Sequence, residues 1–167
     1  MQFHISEIDR VHEVHLHENL SMPRIAHECG QIDSIETVDA TVSVIEQDGI
    51  YHALGDLETT VNYLCARCII SFTAPLSAKL DESFTQIAEK EEQGAHLVAR
   101  DIVDLNPYIE QELFLAVDYR PLCSPNCKGL CPECGCNRNE KTCSCDTLTI
   151  DPRLSVLKDL LLEGKSE

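Results

Sequence analysis

The sequence predicts an α+β fold, an antiparallel β-rich body with two short helices and a cysteine-rich segment. Three observations predict it: apolar residues alternate with period two across residues 37–84, they recur at helical spacing after Asp104 and after Asp151, and cysteines stand in closely spaced pairs. The expected organisation is a β-rich body ending in a helix over 1–120, the cysteine-rich segment over 121–148, and a C-terminal helix over 149–167 docking on the body, all as one structural unit.

Thr37 to Glu46 places Val38, Ala40, Val42 and Val44 on one face and Thr37, Asp39, Thr41 and Ser43 on the other, the pattern of a half-buried strand. Asp48-Gly49 supplies turn chemistry, and Leu57, Thr59, Val61 and Tyr63 alternate beyond it, so a hairpin is predicted with Cys65 at its end. After Cys68 the period resumes through Phe72, Ala74, Leu76, Ala78, Leu80 and Phe84, and Pro75 in this run predicts an edge or a bulge. Glu89 to Gly94 reads as a solvated loop, and His96 to Val103 as one further short strand.

Asp104 is placed to cap a helix carrying Leu105, Ile109, Leu113 and Ala116, with Pro107 tolerable in its first turn. Asp151 and Pro152 open the second, with Leu154, Leu157, Leu160 and Leu161 on its apolar stripe. His12, His15 and His17 could supply imidazole ligands. His15 and His17, opposite Val14 and Leu16, equally fit a solvent-facing strand edge, and that reading is preferred.

Composition narrows the function. Thirteen basic against 29 acidic residues give a formal charge of -16, with no Lys/Arg-rich run. Such a chain repels phosphate, which argues against nonspecific nucleic-acid or anionic-membrane binding and favours a basic protein partner. There is no apolar run of membrane-spanning length and no positively charged leader at Met1, so a cytoplasmic location is expected. With no Trp and 5% aromatic residues the core must rest on Leu, Ile and Val, and something else should help hold the fold.

The ten cysteines point to what that is. In a reducing compartment CxxC spacings read first as metal ligands rather than disulfides. Cys65-Ala66-Arg67-Cys68, Cys123 with Cys127, Cys131-Pro132-Glu133-Cys134-Gly135 and Cys143-Ser144-Cys145 make pairs enough for two tetrahedral structural zinc sites. One assignment groups Cys65, Cys68, Cys123 and Cys127, leaving Cys131, Cys134, Cys143 and Cys145 together; the competing one groups Cys123, Cys127, Cys131 and Cys134. Either way a metal clips the hairpin end to chain far away in sequence, removing entropy from the unfolded state. Cys29 and Cys136 are read as ordinary thiols, Cys136 as a spare near the metal.

An iron–sulfur cluster is the lesser alternative for the same ligands. A thiol redox or metal-dependent enzyme using Cys65 and Cys68 is the runner-up, but a redox dithiol belongs at a helix N-terminus and here a strand follows. All-cysteine sites are closed, and no nucleophile, phosphate loop or carboxylate pair stands out, so no enzyme activity is expected. A direct RNA-binding zinc ribbon would bring Lys and Arg with its metal, and only Lys128, Arg138 and Lys141 lie near.

Together, Cys65-Ala66-Arg67-Cys68 at a strand end, Asp104-Leu105 through Leu115-Ala116, and Pro121-Leu122-Cys123 with Cys127-Lys128-Gly129-Leu130-Cys131-Pro132-Glu133-Cys134-Gly135 resemble the YceD family, the large ribosomal RNA subunit accumulation proteins. Asn137, Asn139, Cys143 and Cys145 continue the likeness, which runs over roughly residues 35 to 160, while Cys136 departs from it. The resemblance implies that Cys65, Cys68, Cys123 and Cys127 form a separable site, since some members keep only that part. It also implies a role in ribosomal RNA accumulation and ribosome biogenesis. The acidity then suits a basic ribosomal protein or a large-subunit assembly intermediate as partner, rather than naked RNA.

Overall fold

The alternating run that begins at Val38 becomes a strand in which Val38, Ala40, Val42 and Val44 are completely buried, as period two demands of a sheet with one covered face. The computed structural model describes residues 1–145, apart from the side chains at 92 and 93. The chain divides into Met1–Cys123 and a second unit from Ser124 onward. The first holds strands β1 (Gln2–His4), β2 (Glu13–Leu20), β3 (Ile32–Ile35), β4 (Val38–Gln47), β5 (Ile50–Leu64), β6 (Ser71–Thr85), β7 (His96–Leu97) and β8 (Ile102–Asp104). Its helices are α1 (Ile5–Val11), α2 (Pro23–Glu28) and α3 (Asn106–Ala116).

The main sheet runs β2-β4-β5-β6-β7, with β3 pairing β5 beyond the end of β4, and β1 pairs β8 separately. All pairings are antiparallel except β6 with β7. Gln47 faces Ile50 across the predicted turn, where Asp48 and Gly49 take φ of 53° and 72°. Positive φ at both turn residues gives the twist a two-residue hairpin needs. Gly55, inside β5, has no room for a side chain: a Cβ there would lie 2.5 Å from the Thr41 carbonyl oxygen and 2.8 Å from Val42 Cγ2.

One face of the sheet is covered by helices through Ile5 and Ile8 of α1, Ile25 of α2, and Ile109 and Leu113 of α3. Phe84 packs edge-on against Phe3 and Tyr108, with centroids 5.9 and 5.0 Å away, which concentrates the few large rings at one place. On the other face Asp39 and Thr41 of β4 are exposed. There His15 is hydrogen-bonded to Ser43 at 2.8 Å and His17 to Thr41 at 3.1 Å, each directly opposite in register, as a solvent-facing strand edge allows. Among the described residues, β6 has no partner on its second side at Pro75, β7 meeting it only at Phe84 and Thr85.

Four local readings are corrected. The segment from His96 to Val103 is not one strand: β7 joins β6, whereas β8 turns away to β1. The acidic loop coils into a 3-10 helix over Ala88–Gln93, closed by Gly94 at φ 91°. Asp104 ends β8 and Leu105 is the N-cap, although Asp104 Oδ1 still accepts the Asn106 N–H at 3.0 Å. Helices α1 and α2 were not foreseen, because at seven and six residues neither is long enough for helical periodicity to emerge. The helix expected after Asp151 lies outside the described residues. Among the described residues, no helix is long and apolar enough to cross a membrane.

Candidate metal centre

Leu64 pairs Ser71, so Cys65 to Ile70 form the loop of the β5–β6 hairpin and the first thiol pair is held by two long strands. Within that loop the Ile69 N–H donates to the Cys65 carbonyl at 2.9 Å and the Cys65 N–H to the Ile70 carbonyl at 3.0 Å. The segment after α3 runs alongside, the Ala66 N–H donating to the Pro121 carbonyl at 2.8 Å. This carries Cys123 Sγ to 3.6 Å from Cys68 Sγ. With Cys127, these sulfurs make a group of four lying within 4.8 Å of one another, and all but Cys123 are buried.

The second group, Cys131, Cys134, Cys143 and Cys145, meets the same 4.8 Å limit but is built from one short stretch of chain. Its turn repeats the first: the Gly135 N–H donates to the Cys131 carbonyl at 2.9 Å and the Cys131 N–H to the Cys136 carbonyl at 2.8 Å. In both turns the residue after the second cysteine has positive φ, 59° at Ile69 and 70° at Gly135. Glycine adopts this freely, whereas a β-branched side chain there is strained by about 1–2 kcal/mol. Among the four, only Cys131 is buried; Cys134 and Cys143 are exposed and Cys145 is half-buried.

The donor chemistry fits a metal. A tetrahedral four-thiolate zinc site needs sulfurs about 3.8 Å apart, given metal–sulfur distances of about 2.3 Å. Burial opposes ionisation of Cys65, yet backbone hydrogen bonds from Cys123, Arg67 and Cys68 outweigh it and bring the thiol down to about 6. Cys134 is likewise held at about 6, first by a backbone hydrogen bond from Cys136 and then by the Cys136, Cys131 and Cys145 thiols. Amide donors aimed at sulfur are what disperses the charge of a metal-thiolate group. The two groups are therefore compatible with metal binding, and they follow the first of the two pairings set out above.

The interactions that Asn139 and Cys136 have with the thiols escaped the sequence reading. The Asn139 side-chain amide donates to Cys127 Sγ at 3.3 Å, while its Oδ1 accepts the Lys128 N–H at 2.8 Å. An asparagine twelve positions from a cysteine carries no spacing signal of its own. Cys136, read as an ordinary thiol and a spare near the metal, has its thiol pushed up to about 12, first by Cys134 and then by Cys143. Cys29 is raised by burial and by Glu28.

The residues define a strand-rich protein with antiparallel sheets and two four-cysteine groups that could each hold a metal ion. The chain belongs to the family described as large ribosomal RNA subunit accumulation protein YceD, whose model matches residues 54–161. It is similar to proteins described as uncharacterized from Mycobacterium bovis and from two strains of Mycobacterium tuberculosis. In each case identity is 27% over 161 residues, covering 87% of this chain and 73% of the relative. No solved structure matches the chain.

Proposed function

We propose that this protein is a non-enzymatic zinc-binding factor that supports accumulation of the large-subunit ribosomal RNA, and hence ribosome biogenesis, in the cytoplasm. One Zn2+ is held by Cys65, Cys68, Cys123 and Cys127, the other by Cys131, Cys134, Cys143 and Cys145. The observation that carries this reading is the gathering of eight thiols into two complete sets of four within a chain of this family. Four thiolates close the coordination sphere of zinc, so neither ion offers a position for substrate, and its contribution is structural.

The partner is a basic ribosomal protein or a large-subunit assembly intermediate. A chain of formal charge -16 is steered toward cationic protein surfaces and away from phosphate. Elemental analysis and native mass spectrometry of freshly purified, reduced protein are expected to find two zinc ions per chain; iron, or empty sites, would refute the metal assignment. Gentle affinity recovery from cells is expected to bring down large-subunit proteins or precursor particles. Recovery of neither, or recovery of protein-free RNA lost steeply with added salt, would refute the partner assignment.

A further inference from the structure

We infer that the free edge of β2 is a docking surface that takes an extended basic segment of a partner protein as an added strand. This rests on the basic-partner reading proposed above and gives it a place on the fold. β2 ends the main sheet, and its eight residues pair with β4 from Glu13↔Ile45 to Leu20↔Val38 without a register shift. The His12 carbonyl accepts the Glu46 N–H at 3.0 Å, which makes that pair a hydrogen-bonded one. Antiparallel pairs alternate, so Val14, Leu16 and Glu18 bond to β4, whereas Glu13, His15, His17 and Asn19 turn their backbone N–H and C=O groups away from the sheet. Among the described residues no backbone partner takes these groups up, and all four residues are exposed.

The opposite side of the sheet shows how this chain closes an edge. There the Thr60 carbonyl accepts the Glu36 N–H, so Pro75, opposite Thr60 on β6, faces outward and offers no donor. Lys79 stands on the same strand, and β7 covers its end. Proline, lysine, bulges and short strands are the usual means of stopping unwanted strand addition. β2 has none of them: from Val11 to Met22 there is no Lys, Arg or Pro. Its charges are Glu18, which the Met1 amino group holds at 3.1 Å, and Glu13, and these reject an acidic strand while accepting a basic one.

What flanks the row sets the chemistry of the occupant. Val14 and Leu16 are half-buried against the core on the helix-covered face, so an added strand gains by placing apolar residues beside them. On the other face the exposed carboxylates of Glu13 and Asp39 favour cations at the alternate positions. An extended segment that alternates basic and apolar residues meets both faces, while main-chain hydrogen bonds to the free row supply affinity. A second copy of this chain would bring a formal charge of -16 against another -16, which opposes self-pairing.

The test uses the full chain as purified and an end-blocked, fluorescein-labelled peptide of four Lys-Val repeats. Fluorescence anisotropy is expected to show binding, and hydrogen exchange followed by NMR to show newly slowed amides at Glu13, His15, His17 and Asn19. The same peptide N-methylated throughout keeps its charge but cannot pair, and its affinity should be at least about tenfold lower, the scale of about one or two lost hydrogen bonds. His15→Pro removes one outward donor of β2 and none of its bonds to β4, and at unchanged melting it should weaken the unmethylated peptide to a similar degree. No binding, equal binding of the methylated peptide, protection outside β2, or outward β2 amides already protected in the free chain would overturn the proposal. Affinity recovery from cells separates the two readings: large-subunit proteins held equally by the natural chain and by His15→Pro sink this surface alone, whereas none with either sinks the partner reading with it.

Discussion

The two thiol groups share one turn geometry and differ in what supports it. Around Cys65 and Cys68 the turn is clamped by fifteen-residue strands and tolerates Ile69 in a left-handed conformation. Around Cys131 and Cys134, among the described residues, a single Leu130–Asn137 bridge flanks the turn in place of long strands, and the position is glycine, which needs no support. A surrounding fold can hold a poor local residue in place, whereas a site made of local chain needs residues that favour the conformation by themselves.

The largest expected effect breaks the first group. Cys65→Ser removes a buried thiol from the hairpin loop and, on the proposed zinc assignment, should destabilise the Met1–Cys123 unit by at least about 4 kcal/mol, because loss of a structural metal belongs to the rare severe class. Thermal melting would check it, and an unchanged midpoint would remove the idea that this metal supports the sheet. Gly55→Ala attacks the sheet without touching a thiol: its methyl must displace the Thr41 carbonyl or Val42, at about 1–3 kcal/mol. Denaturant unfolding should report that loss while zinc at the second group is retained.

The shared turn gives a sharper pair. A Cβ on Gly135 would meet nothing within 4 Å, so Gly135→Ala is penalised by φ alone, at about 1–2 kcal/mol, seen as weaker zinc retention at the second group. Ile69→Gly should relieve the matching strain and be neutral to slightly stabilising, since glycine's extra unfolded-state entropy takes back part of the gain. A large loss in Ile69→Gly would mean that the exposed isoleucine does something other than fill a turn.

The smallest effect lies away from both groups. Asp101 accepts the Ser6 N–H at 2.8 Å and sits 3.1 Å from His4 Nδ1, and these contacts, the Ser6 amide foremost, hold its carboxyl below the ordinary 3.8. A carboxyl depressed in the folded state contributes stability that is present above its ordinary pKa and lost as pH falls through the lower folded value. Asp101→Asn should therefore melt slightly below the natural chain at neutral pH and converge with it in acid. A gap that persists in acid would assign the role of Asp101 to packing rather than charge.

Much of the sheet was legible because one buried face imposes period two: Val38 through Val44, the Asp48-Gly49 turn, and the run from Phe72 to Phe84 all read directly. The separate fates of His96 and Ile102 were not legible, since two short strands with different partners look like one when only local alternation is available. The eight clustered cysteines were visible as pairs, while the contact of Asn139 with sulfur and the shift that Cys134 and Cys143 impose on Cys136 were not.

Residue chemistry alone determined that this chain would be an acidic, β-rich protein with thiols in sets suited to a closed metal site, because charge, period and CxxC spacing are local properties. Only the tertiary structure decided which thiols meet. Cys123 reaches Cys68 because α3 packs on β6 and returns the chain past the β5–β6 loop, and no spacing rule contains that path. It also decided that one set is mostly buried and the other mostly exposed, since burial belongs to what the rest of the fold lays over a residue and not to the residue itself.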